Sequence, residues 1–306
     1  MYDDIGQYRT VVLYEQWRMS GNVGANTVIG SDAPFSRPPI SEVNLTIWFD
    51  PIRTLASLHL SSLRTAWSAE FPKVEEKAPL APWNLADAIT FVDDKWPMPA
   101  CIFAATEREK QILIQSDRFG LTWYFTSQNQ YPGFKALSED FNRRYRQFEA
   151  ALQDSGNEEP ELVRVTIEYE NYLDLFDSNL VARRVVAGEQ ILNSDRGVIT
   201  GGTTAVRKNV HPSAENDLNV TLLVGVDSTG RGGGVSYASP EDVDPGVTQS
   251  AEDDSEGRAT LLTISGRAKI DKGDDAFECM RRAHDASHAL FLEIFDDSLK
   301  SSWGKK

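Results

Sequence analysis

Two of the four histidines, His284 and His288, stand four residues apart. On a helix both rings could reach one metal ion. The run His284-Asp285-Ala286-Ser287-His288 has the histidine spacing of a zinc-protease helix, with the shorter Asp285 where that motif carries Glu. No third ligand is evident. Glu278 and Cys279 fall on other faces of the same helix, and spacing does not constrain His211. The plainer reading is a helix that packs one histidine and exposes the other. His284 and His288 are therefore metal candidates without a ligand set, and no cofactor is expected. Cys279 lies among acids, which raise a thiol pKa, and a dyad with His284 would join two helix faces. The glycine run at 230–234 resembles a phosphate loop in composition, but it lacks the Gly-Lys-Ser/Thr ending and reads as a linker. Binding residues are sought instead among Trp48, Trp123, Tyr124, Tyr169, Asn171 and His284. The aromatic ones could line a pocket under a helix, or belong to the core.

The histidines need a long helix to carry them. Residues 273–303 supply its pattern: Phe277, Met280, Ala283, His284, Leu290, Phe291 and Ile294 recur at near-helical spacing, with Ser287 as the one small polar step. Glu278, Arg282, Asp285 and Asp296 take the opposite face, and Asp274 and Asp275 suit the positive end of the helix dipole. Such a helix needs a platform to bury its stripe. Strand-like segments precede it. Residues 43–50 alternate, with Val43, Leu45, Ile47 and Phe49 facing one way and Asn44, Thr46 and Trp48 the other. A helix follows at 55–71, with Leu60, Leu63, Trp67 and Phe71 as its stripe, ended by Pro72. Residues 75–83 read as a Pro-rich loop. Strands are expected at 88–92, 101–105, 111–115, 119–126 and 162–172, with a helix at 134–153 before the last. The second half offers strands at 198–206, 218–226 and 259–270, while 180–192 is strand or short helix. Residues 227–257 are rich in Gly, Ser and acids and read as a mobile acidic loop.

The expected fold is α+β with antiparallel sheets. Residues 1–32 form an N-terminal extension, and 33–175 a ferredoxin-like half of order β-α-β-β-β-α-β. Residues 176–306 form a β-rich half closed by the long helix.

Composition narrows the function classes. A net charge of −15 over 306 residues argues against direct binding of nucleic acid, which needs clustered Lys and Arg. The 41% apolar content suffices for a core. Two cysteines make no disulfide framework and point to a reducing compartment. No signal-like N-terminus and no apolar run of about 20 residues is seen, so the expectation is a cytoplasmic protein without a membrane span.

Four segments resemble a known family: Arg37-Pro38-Pro39-Ile40-Ser41-Glu42-Val43; IQSDRF at 114–119 with Tyr131-Pro132-Gly133-Phe134; residues 163–171; and Ala283-His284 through Phe291 to Trp303-Gly304. Together they resemble a sporadically distributed family of uncharacterised bacterial proteins, often considered associated with mobile or defence loci. The likeness runs from about residue 35 to the end. It implies that His284 matches a histidine typical of the family's terminal helix, whereas His288 does not. Where such proteins usually have Arg-Tyr-x-Asn, this chain has Glu168-Tyr169-Glu170-Asn171.

Three functions stay open on this sequence. The first is a non-catalytic protein-binding or regulatory component of a bacterial antiphage defence or toxin-neutralising complex, with a basic protein or a second copy of the chain as partner. The second is a small-molecule binder with a pocket between sheet and terminal helix. The third is a metal-dependent hydrolase centred on His284.

Overall fold

The structure, a computed structural model, describes residues 38–81, 98–107, 109–126, 131–173, 203–210, 220–230, 258–295, 300–301 and 303–304. The extension at 1–32, the strand expected at 88–92, the segment 180–192, most of the acidic loop and His211 lie outside the described residues.

The chain begins with strand β1 (Ile40–Phe49), a 3-10 turn (Ser57–Leu60) and helix α1 (Ser61–Trp67). Strands β2 (Lys73–Lys77), β3 (Ala100–Ala104), β4 (Lys110–Gln115) and β5 (Arg118–Tyr124) follow, then helix α2 (Phe134–Asp154) and strand β6 (Leu162–Leu173). The second half supplies β7 (Thr203–Val210), β8 (Val220–Gly230), β9 (Arg258–Lys269) and helix α3 (Ala276–Ile294). The described strands make one nine-stranded sheet in the order β2-β3-β4-β5-β1-β6-β9-β8-β7. Each described pairing is antiparallel. The fold is thus α+β, with an antiparallel sheet and a C-terminal helix packed on it. Because β6 pairs with β9, the sheet runs without interruption from the first half into the second.

Alternation decides which sheet face is covered. Val43, Leu45, Ile47 and Phe49 are all fully buried, and they stand opposite Tyr169, Ile167 and Val165 of β6 and Phe119, Leu121 and Trp123 of β5. Residues in register on neighbouring strands share a face. Leu262, Ile264, Gly266 and Ala268 continue that face across β9. α1, α2 and α3 share one core cluster with it. The opposite face is polar, with Glu42, Asn44, Thr46 and Trp48 on β1 beside Arg164, Thr166, Glu168 and Glu170 on β6.

Several elements differ from expectation for local reasons. Residues 73–77 are a strand and not only a loop: β2 pairs with β3 at the sheet edge, where a charged Lys-Val-Glu-Glu-Lys run blunts further pairing. Among the described residues four strands therefore separate α1 from α2, one more than in the order β-α-β-β-β-α-β. The first helix is shorter than 55–71, since its first turn is 3-10 and Phe71 is delivered by the turn after Trp67, through Phe71 N–H to the Trp67 carbonyl at 2.7 Å. Leu60, Leu63, Trp67 and Phe71 are buried all the same. Phe125 follows the end of β5 and is 46% exposed, leaving the apolar row of Phe119, Leu121 and Trp123. β8 runs through residues 227–230, which were expected to open the acidic loop, because their backbone pairs with Leu261, Thr260, Ala259 and Arg258 without needing an apolar pattern. α3 starts at Ala276 rather than 273, capped by Asp275, whose carboxylate accepts from the N–H groups of Phe277 and Glu278. Among the described residues, no helix is long and apolar enough to cross a membrane.

Candidate functional site

α2 and α3 do not close completely over the sheet. Between them lies a cleft of about 700 Å³. Its floor is the end of β6 and the middle of β9, with Tyr169, Asn171 and Ile264. Ile40 enters from the start of β1, where a register shift between Ile40 and Glu42 interrupts the ladder. One wall is the first two turns of α2. Tyr131, Pro132 and Gly133 bring the chain into that helix, and Gly133 has φ of 89°, a conformation that favours glycine. The other wall is α3.

His284 projects from α3 into this space. Its Nδ1 and the Tyr169 hydroxyl share a hydrogen bond of 2.7 Å. Its ring lies flat against Phe134 of α2, with centroids 3.9 Å apart and planes 10° from parallel. The His288 ring is nearly parallel to it at 4°, with centroids 5.8 Å apart. His284 is thus fixed from three sides, by β6, by α2 and by its own helix.

The surroundings keep these groups neutral. Burial, then His288 and Arg281, push His284 down to about 3. Burial also lowers His288, opposed by Asp285. Burial raises Tyr131 to about 12, with Tyr169 opposing, and it raises Tyr169 well above 10, helped by Tyr131. Three polar atoms of residues that line the cleft are buried and have no hydrogen-bond partner among the described residues: the Tyr131 hydroxyl, Oδ1 of Asn142 and Nε2 of His288. Such atoms cost free energy unless water or a ligand satisfies them.

The rim is charged. Arg281 donates from Nε and Nη2 to both carboxylate oxygens of Glu278, at 2.9 and 2.5 Å, and from Nη1 to Asp285 at 2.6 Å. The Asn171 amide donates to the Leu262 carbonyl at 3.1 Å, so it ties β6 to β9 while its side chain borders the cleft.

The structure brings Tyr169, Asn171, His284 and His288 together in this cleft. Trp123 stands behind the wall, packed edge-on against Tyr131 with centroids 5.6 Å apart. Trp48 and Tyr124 do not join them. Both belong to the opposite sheet face, where Trp48 Nε1 donates to Thr166 Oγ1 at 3.1 Å and the ring lies 4.3 Å from the Arg118 guanidinium. The alternation of β1 places Trp48 there, since it is out of phase with Ile47 and Phe49. Among the described residues, no group of three or more His, Cys, Asp or Glu side chains could hold a metal ion. Cys279 is buried in the core, and burial first, then Asp274, pushes its thiol up to about 11. Sequence reasoning did not single out Tyr131, Phe134, Asn142 or Arg281 as site residues. Asn142 carries no signal in the sequence, because its meaning depends on a helix 130 or more residues later.

No family model matches this sequence, and no curated protein does.

Proposed function

We propose that this protein is a non-catalytic binder of a small molecule, held in the cleft between α2, α3 and the sheet. The observation that carries this reading is a recess of about 700 Å³ whose walls are aromatic and whose buried polar atoms are in part unsatisfied. Ligand sites are typically apolar recesses of this order with a few fixed polar groups. The protonation states support binding over chemistry. A general acid or base works best with a pKa near the operating pH. His284 is pushed far below neutrality, and Tyr131 and Tyr169 far above it. These groups hold hydrogen bonds in one fixed protonation state. In this reading the helix histidine of the resembling bacterial family is a wall of the binding site, and a regulatory role would follow from ligand occupancy.

The test is ligand-observed NMR with a fragment library on the wild type and on Ser138→Trp. Ser138 lines the cleft from the half-buried side of α2, so an indole there fills the space without entering the core. Fragments should bind the wild type and be lost from a Ser138→Trp protein with an unchanged circular dichroism spectrum. A library that gives no binders, or binders indifferent to Ser138→Trp, would sink the proposal.

A further inference from the structure

The cleft also carries information about what it takes. We infer that its ligand is a flat molecule with an N–H donor and no negative charge; this rests on the binding reading above. Three observations converge on it.

The first is shape. Phe134 of α2 and His284 and His288 of α3 present rings within 10° of parallel in succession, so a ladder of aligned planes runs from one wall of the cleft to the other. Aromatic groups pack on such surfaces in offset or edge-on contact. The second is the kind of polar atom left over. Asn142 Oδ1 is an acceptor, buried and without a partner among the described residues, and its complement is a donor. His288 Nε2 and the Tyr131 hydroxyl, on residues that line the same recess, can each accept or donate, so neither opposes a donor.

The third is charge. Glu139, Asp275, Glu278 and Asp285 border the cleft against Lys135 and Arg281. Arg281 is engaged by Glu278 and Asp285, so its charge is already matched. The histidines that face the interior resist protonation because burial penalises the cation. A carboxylate or phosphate entering this space would leave water for an excess of negative charge, with little to compensate it. A neutral or cationic heteroaromatic amine meets no such penalty.

One ring system with three side chains tests this. Tryptamine is cationic, tryptophol neutral and indole-3-acetate anionic. Isothermal titration should show tryptamine and tryptophol binding at least about tenfold more tightly than indole-3-acetate, as like-charge juxtaposition predicts. Asn142→Leu should weaken tryptamine by about tenfold, since the indole N–H then loses its acceptor. The same variant should leave 1-methyltryptamine, which lacks that N–H, unchanged. Indole-3-acetate binding as tightly as tryptamine would overturn the inference, as would indifference of tryptamine to Asn142→Leu. If none of the indoles binds while Ser138→Trp still abolishes fragment binding, the ligand class is wrong and the binding site stands. If no fragment binds either, both fall.

Discussion

α2 and α3 cover the same sheet face in different ways. Under α2 the centre of the contact is aromatic, with Leu137, Ala151 and Leu152 at its margins. Phe148 stacks on Phe49 and on Phe119, with centroids at 6.0 and 5.4 Å, and Phe119 also meets Phe141 and Tyr145 at 5.5 Å. The buried guanidinium of Arg144 closes the far side over Phe71 at 5.0 Å, paired with Glu70 and Asp140. Under α3 the contact to β9 is made by small residues, Gly266 against Ala283 and Ser287. Large rings fill the volume between helix and sheet, whereas small ones let the backbone come close at one point and leave the neighbouring volume empty. The cleft sits where these two packing modes meet, beside the stacked rings of Phe134 of α2 and His284 of α3. A binding site here follows from a change in packing style, not from a catalytic motif.

The sharpest way to break this comparison is to remove a ring from each side. Phe148→Ala should cost about 3–5 kcal/mol, read as a shift in the urea midpoint, because a fully buried aromatic leaves a cavity that its stacked neighbours cannot fill. Phe291 borders the cleft, whose open space lies on one side of it, and packs on Phe295 and on the half-buried Trp303. Phe291→Ala should cost clearly less. Equal losses would mean that the two halves are packed alike and that the distinction is not energetic.

Much of the first half was readable from periodicity, because apolar residues alternate cleanly where one sheet face is covered. The residues that alternation puts on one face of β1 are the buried ones, and the terminal helix lies where Phe277, Met280 and Ala283 placed it. β2 was hidden because an edge strand with one apolar residue has no pattern to read. The site was half readable. Tyr169 and His284 each stood out, but a bond across 115 positions leaves no trace in spacing. Parity could have separated Trp48 and Tyr124 from them, since Trp48 alternates against the buried face. Asn142 becomes meaningful only once α3 is packed opposite it.

The second test exploits the charge cost on the α3 side. His284 titrates near 6.5 in an unfolded chain and at about 3 in the folded one. Between those values the unfolded chain binds the proton and the folded one does not. Stability is therefore full above about pH 6.5 and falls as pH drops toward about 3, with no further loss from this group below that. The total is at most about 5 kcal/mol, reduced by solvent that reaches the ring through the cleft. His288, Arg281 and Tyr169 face this ring, and the first two oppose its protonation while Tyr169 bonds its Nδ1. Urea melts from pH 7 to pH 4 should show a shallower decline for His284→Gln than for the wild type. Parallel declines would mean that the cleft does not hold this histidine neutral.

The smallest effect should come from a single methyl group at the crossing of α3 and β9. A Cβ on Gly266 would lie 2.5 Å from the Ala283 carbonyl oxygen and 2.5 Å from Ser287 Oγ. The hydroxyl can rotate, but the carbonyl belongs to the helix backbone and yields only if α3 lifts. Gly266→Ala should cost about 1–3 kcal/mol, against a gain of under about 1 kcal/mol from the stiffer unfolded chain. Ser287→Ala removes one of the two obstacles, so the double variant should recover part of the loss and no more. Because the lift would draw His284 from Tyr169 and relieve the burial that holds it neutral, Gly266→Ala should also make the acid decline that His284 contributes shallower. Full recovery in the double variant would show that the hydroxyl alone sets the spacing. The close approach would then be a side-chain matter, and α3 would be as free to adjust as α2 is fixed.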